Sequence, residues 1–137
     1  MTLDHIRLSQ KAKDQLVKLK QRTRIVHWNE LCRWGFCLSL AEPGIPPEIR
    51  IPADSNVEMT WRVFGGRHAD IYLGLLKMRL FQDGLSVDDE TLSRQFRLHL
   101  HRGISYLVAD RQLRKIDDLV SLAVRAEGCK TEKVRPI

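Results

Sequence analysis

The chain has 137 residues, 43% hydrophobic and 29% charged, with a net charge of +6. This is an ordinary globular composition, long enough to bury most of its apolar surface as one domain, residues 1–137, without disulfide help. No apolar run approaches the ~18 residues of a membrane-spanning helix, and the opening MTLDHIRLSQ has no signal-peptide core, so a cytoplasmic protein is expected.

The charge is unevenly spread. Residues 1–24 hold seven Lys or Arg against Asp4 and Asp14, a net of +5. Residues 25–137 hold sixteen basic against fifteen acidic residues, a net of +1. That asymmetry points to a polyanionic partner, nucleic acid before membrane surface.

His5 to Ser9 alternates polar and apolar residues, as a short half-buried strand does. Ser9 is placed to cap the helix that follows. Residues 10–23 carry Ala12, Leu16 and Leu19 on one stripe of an amphipathic helix. Lys11, Lys18 and Arg22 fall together on another face, and Lys13 and Lys20 flank the stripe. The single acid of this helix, Asp14, does not balance them, so helix ion pairing does not account for their number. The pattern breaks between Thr23 and His27, where Arg24 adds a further cation.

Trp28 to Ala41 reads as a second helix, apolar on most sides, which suits a core or a subunit interface. Cys32 and Cys37 within it read as buried core thiols; with Cys129 they make an odd set at irregular spacing, unlike a secreted disulfide framework. Glu42-Pro43-Gly44 stops the helix. Ile49–Ile51 and the alternating run 57–64 then suggest a small hairpin.

A third helix is predicted over 67–82, with Ile71, Leu75, Met78 and Phe81 inward and Lys77 and Arg79 as its basic members. Asp88-Asp89-Glu90 opens a fourth, as the helix dipole favours, running to about Arg102 where Gly103 interrupts it. Ile104 to Ala109 forms a short apolar piece. A last helix is expected over 116–126, and 128–137 reads as a frayed, flexible tail.

The expected fold is therefore mainly α (α+β). An N-terminal strand-helix-helix, in the order of a ribbon-helix-helix, packs with a small hairpin and C-terminal helices.

The sequence makes no positive case for catalysis. There is no phosphate-binding glycine loop and no serine elbow. His99 and His101 are two apart and diverge on a helix, and Cys32-x4-Cys37 is not zinc spacing, so neither a metal nor another cofactor is expected. What remains is the basic surface, whose chemistry is salt-dependent phosphate binding.

Three stretches carry a family resemblance. They are Leu19-Lys20-Gln21-Arg22-Thr23-Arg24-Ile25, then Trp28 to Trp34 with Cys37 to Pro43, and Phe96-Arg97-Leu98-His99-Leu100-His101-Arg102-Gly103-Ile104. Over about residues 4–125 the chain resembles DndE, the small component of bacterial DNA phosphorothioation systems. The resemblance implies a non-catalytic accessory subunit that binds duplex DNA, nicked duplex above all, through surface lysines and assembles as a homotetramer. It implies partners that exchange a phosphate oxygen for sulfur in a restriction-modification setting: a cysteine desulfurase, an iron–sulfur ATP-pyrophosphatase-like protein and an ATPase-like protein. The DNA-binding class falls here on Lys11, Lys13, Lys18 and Lys20, then on Arg22, Arg24 and Lys77. Arg24 stands where glycine is expected at the helix–helix turn. Two rival readings follow from the same residues. One is a sequence-specific ribbon-helix-helix regulator reading bases through His5, Arg7 and Ser9. The other is a protein–protein scaffold for the sulfur-transfer enzymes.

Overall fold

A computed structural model describes residues 5–110. The helix predicted over 116–126, the tail 128–137 and Cys129 lie outside the described residues. The elements run β1 (His5–Arg7), α1 (Gln10–Thr23), α2 (Trp28–Ala41), β2 (Glu58–Thr60), α3 (Trp61–Gly65), a 3-10 turn (Gly66–His68), α4 (Ala69–Gln82) and α5 (Asp89–Ala109). This is the mainly helical α+β fold expected, with one two-stranded sheet.

The sheet is not the predicted local hairpin. β1 pairs antiparallel with β2, in the register His5↔Thr60, Ile6↔Met59, Arg7↔Glu58. Residues 49–51 form no strand. The alternating run 57–64 also stops being a strand at Thr60, whose hydroxyl caps α3 by accepting from the Val63 N–H at 3.1 Å. The helical turn then points Trp61 and Phe64 inward and leaves Val63 exposed.

Both N-terminal helices follow from their ends. Ser9 Oγ accepts from Ala12 N at 3.1 Å, satisfying one orphan donor of α1. α1 buries Ala12, Leu16, Leu19 and Thr23, the expected stripe. It stops at Arg24, which takes the left-handed conformation (φ 62°) while its N–H bonds back to Lys20 O at 2.8 Å.

α2 and α5 form the central pair. α2 presents Leu31, Cys32, Gly35, Phe36 and Ser39 as its buried residues. α5 answers with Leu92, Phe96, Leu100, Gly103, Ile104 and Leu107. Gly103 does not interrupt this helix. A Cβ there would lie 1.6 Å from the Gly35 carbonyl oxygen, so glycine is what lets the two backbones touch. Around that crossing, Phe36, Phe64, Phe96 and Trp61 make tilted and edge-on ring contacts at 5.0–5.6 Å.

α4 is turned about its axis from the sequence expectation. Leu76, Arg79 and Leu80 are buried, whereas Ile71, Leu75, Met78 and Phe81 are exposed, Phe81 at 82%. The helix carries two apolar stripes, and periodicity alone does not say which one faces the core. Cys37 is likewise exposed rather than buried, beside Leu75 and Met78 in the groove between α2 and α4.

Candidate nucleic-acid interface

The basic residues of α1 occupy two flanks. Lys11, Lys18 and Arg22, spaced seven and four residues apart, follow the flank that meets α5. On that flank Gln15 Nε2 donates to Ser105 Oγ at 3.4 Å, and Arg22 Nη1 donates to the Val108 carbonyl at 3.0 Å. Lys11 and Lys18 are exposed, and neither lies in ion-pair range of any described carboxylate.

The other flank holds Lys13 and Lys20, both half-buried. Lys13 Nζ donates to Asn56 Oδ1 at 2.6 Å. Lys20 Nζ sits 3.9 Å from the centroid of the Trp28 ring, a cation–π contact. Neither has a carboxylate partner among the described residues, which leaves both charges uncompensated there. Arg24 is exposed just past the helix end. Lys77 is exposed too, but on α4, whose main packing partners are α3 and α5. The structure thus gathers six of the seven sequence candidates on and just beyond one helix and sets Lys77 apart.

Three other arginines, Arg79, Arg97 and Arg102, turn inward. Arg79, 7% exposed, engages all five N–H donors of its guanidinium. Nε donates to Asp83 Oδ2 at 2.9 Å; Nη1 reaches the carbonyls of Leu40 and Glu42, and Nη2 those of Pro43 and Gly44, at 2.8–3.2 Å. It closes the C-terminal end of α2, where carbonyls have no helical partner. Arg102 donates to Ser39 Oγ, Ser39 O and Gly44 O, each at 2.8 Å. Arg97 binds the carbonyls of Arg7, Ile51 and Pro52. These three hold the proline-rich connection between α2 and β2 against α4 and α5.

The ribbon residues are also engaged. His5 Nδ1 and Arg7 Nη2 lie 3.7 and 3.0 Å from the Glu58 carboxylate. The Ser9 hydroxyl is the α1 cap, and Ser9 N donates to His101 Nε2 at 3.2 Å. A strand-borne base reader would have to break these contacts.

The titratable groups near the core are quiet. Burial pushes the Cys32 thiol up to about 12, which keeps it protonated and unreactive. His99 and His101 are lowered to about 4, mainly by burial; for His99 the Arg79 and Arg102 guanidiniums add to the effect. His101 Nδ1 pairs with the Arg97 carbonyl at 2.8 Å, which with the Ser9 contact fixes a neutral ring protonated on Nδ1. Asp88 caps α5 through Thr91 N at 2.8 Å and is held down to about 2, chiefly by the Ser86 hydroxyl. Among the described residues no group of His, Cys, Asp and Glu is arranged to hold a metal, and no helix is long and apolar enough to cross a membrane.

Sequence reasoning missed the groove beside Lys11, of about 570 Å3, between α1, the proline-rich connection and α5, with Arg50 and Tyr106 among its lining residues. Its walls come from three segments far apart in sequence, and no local signal announces it.

The fold and this surface define a small α+β protein whose first helix carries Lys11 and Lys18 exposed and Lys13 and Lys20 half-buried, none with a carboxylate partner among the described residues. The family model described as "DNA sulphur modification protein DndE" matches residues 5–115. The chain belongs to the DndE family. Two solved structures share the fold. The crystal structure of DndE from Escherichia coli B7A, involved in DNA phosphorothioation modification, aligns with a TM-score of 0.65 at 24% identity, over 78% of this chain and 98% of that one. A mutant DndE involved in DNA phosphorothioation aligns with a TM-score of 0.59 at 23% identity, over 76% and 95%. A comparison with curated proteins finds no match.

Proposed function

We propose that this chain is a non-catalytic accessory subunit of a DNA phosphorothioation machinery, one that grips duplex DNA, nicked duplex above all, for the sulfur-transfer enzymes. One observation carries the reading: Lys11 and Lys18 stand exposed on one flank of α1 without a described carboxylate to neutralise them. Cations so placed release counterions from phosphates and bind with little regard to sequence. Lys13, Lys20 and Arg24 extend the contact across the helix, and Arg22 retains donors beyond the one on Val108. The family match supports the machinery. It also supports partners of the desulfurase, iron–sulfur ATP-pyrophosphatase-like and ATPase-like classes.

The test is a salt titration of binding to intact, nicked and single-stranded DNA. Lys11→Glu with Lys18→Glu is expected to weaken duplex binding and flatten the log–log salt slope by about 2, near 0.9 per lost phosphate contact. A folded double variant with unchanged affinity and slope refutes this placement. Equal affinity for nicked and intact duplex removes the nick preference alone.

The same subunit is proposed to self-associate, as a tetramer, through the exposed stripe Ile71, Leu75, Met78 and Phe81 of α4. Lys77, exposed on that helix, is proposed as a further phosphate contact of the assembly. Light scattering on Met78→Asp with Phe81→Asp should show a smaller species than the unaltered chain. An unaltered chain that is monomeric, or a variant that stays tetrameric, excludes this interface.

A further inference from the structure

The groove beside Lys11 offers more than phosphate contacts. At about 570 Å3 it falls in the size range of small-ligand sites. One wall is the proline-rich connection, with Pro47 and Ile49 exposed; the other is α5, with Tyr106 41% exposed and the Arg102 guanidinium 5.8 Å from its ring centroid, which leaves the opposite ring face for a base. Its lining is mainly apolar, yet three cations enter it: Lys11, Arg50 and Arg102. Arg102 is committed to Ser39 and Gly44, so the charge left for a ligand comes from Lys11 and Arg50. Asp54, the one carboxylate of the lining among the described residues, already accepts from Gln10 N at 2.8 Å. Lys11 belongs at once to the groove and to the Lys11–Lys18–Arg22 flank.

A row of cations that leads into an apolar slot with an exposed aromatic ring is the arrangement that holds a nucleic-acid backbone and stacks an unpaired base. We propose that this groove receives one unstacked nucleotide, its base against Tyr106 and its phosphate on Lys11 and Arg50. The proposal rests on the duplex-binding reading above. It adds that the protein senses a local loss of base pairing, which the duplex track alone does not explain. A short peptide alternating acidic and apolar residues shares part of this chemistry, but continuity with the basic flank favours the nucleotide.

The experiment uses the full chain and a duplex carrying one unpaired 2-aminopurine, with the fully paired duplex as reference. Binding should change the 2-aminopurine fluorescence and be about tenfold tighter for the unpaired site, within the range of one base–aromatic stack. Tyr106→Ala should abolish that preference while leaving affinity for paired duplex unchanged, and Tyr106→Phe should retain it. Arg50→Ala is the second variant and should reduce the preference without touching the ring. Unaltered fluorescence on binding, or a preference that survives both Tyr106→Ala and Arg50→Ala, overturns the proposal. So does Tyr106-dependent capture of a labelled Asp-Ile-Asp-Ile-Asp peptide without any unpaired-base preference, which would assign the groove to a protein segment. Absence of binding even to paired duplex would instead overturn the duplex-binding reading beneath it.

Discussion

Three arginines of α4 and α5 and two lysines of α1 carry the same formal charge to opposite ends. Arg79, Arg97 and Arg102 turn inward and donate to backbone carbonyls along the connection from Ser39 to Pro52. Lys11 and Lys18 turn outward and meet no described carboxylate. The division follows from the side chains. A guanidinium has a planar fork of donors and is weakly hydrated, so it can be buried against carbonyls; an ammonium is compact, strongly hydrated and best left in water. Net charge is therefore a poor measure of the surface available to a polyanion: part of it is structural.

The strongest way to break the comparison is to make an arginine behave like a lysine. Arg79→Ala would strand the carbonyls of Leu40, Glu42, Pro43 and Gly44 and leave Asp83 without its ion pair in a nearly buried site. A loss of about 3–5 kcal/mol is expected in urea unfolding, the usual cost of breaking a buried pair from one side. Arg79→Lys should recover little of it, because three N–H donors cannot replace five in a fixed plane. Lys11→Ala with Lys18→Ala should change stability by no more than about 0.5 kcal/mol, as surface substitutions do. If Arg79→Lys is as stable as the parent, or the lysine pair costs as much as Arg79, the division between structural and surface cations fails.

Much of the fold was legible where the signal is local. α1 and α2 fall where Ser9, the break after Thr23 and Pro43 put them, because capping and chain-stop chemistry are read within a few residues. What escaped depends on distant partners. β1 pairs with β2 across some fifty residues, so a local hairpin was the nearer guess. Gly103 looks like a helix breaker until Gly35 is seen against it. Both stripes of α4 are apolar, and only its packing partners choose between them. At the candidate site, the charge excess of α1 was plain. Whether a given cation is exposed, as Lys18 is, or engaged, as Lys13 is with Asn56 and Lys20 is with Trp28, was not. The carbonyl-clamping role of Arg79 has no sequence signature at all.

The buried surroundings of the inward arginines also bring a pH dependence that the lysine face lacks, because burial lowers two histidines there and the guanidiniums add to it. His99 lies among Arg79, Arg102 and Ser39, and His101 accepts from Ser9 N; both stay neutral until about pH 4. In the unfolded chain both regain the ordinary histidine value near 6.5. Between these values the unfolded chain binds protons that the fold does not. Stability is then full above the unfolded value and falls as pH drops through the window. From pH 7 to pH 5, before most carboxylates titrate, the loss should be about 2 kcal/mol for each histidine. Denaturant midpoints measured across that range check it, and His101→Gln should remove about half the slope. A flat profile would mean that the two rings protonate within the fold.

The smallest effect separates folding from charge at one residue. Arg24 holds φ 62° at the end of α1, a conformation that costs a side chain about 1 kcal/mol and costs glycine almost nothing. Arg24→Gly should therefore stabilise the chain by about 0.5–1 kcal/mol, the relief of strain being partly offset by the greater freedom of an unfolded glycine. The same change deletes an exposed cation beside the basic helix. If Arg24 touches phosphate, its loss should lower the salt slope of duplex binding by about 0.9 while the protein becomes more stable. Opposite signs in the melting and binding measurements would show that this position keeps a strained arginine for its charge. A variant that is both more stable and equally good at binding would confine the DNA surface to α1 itself.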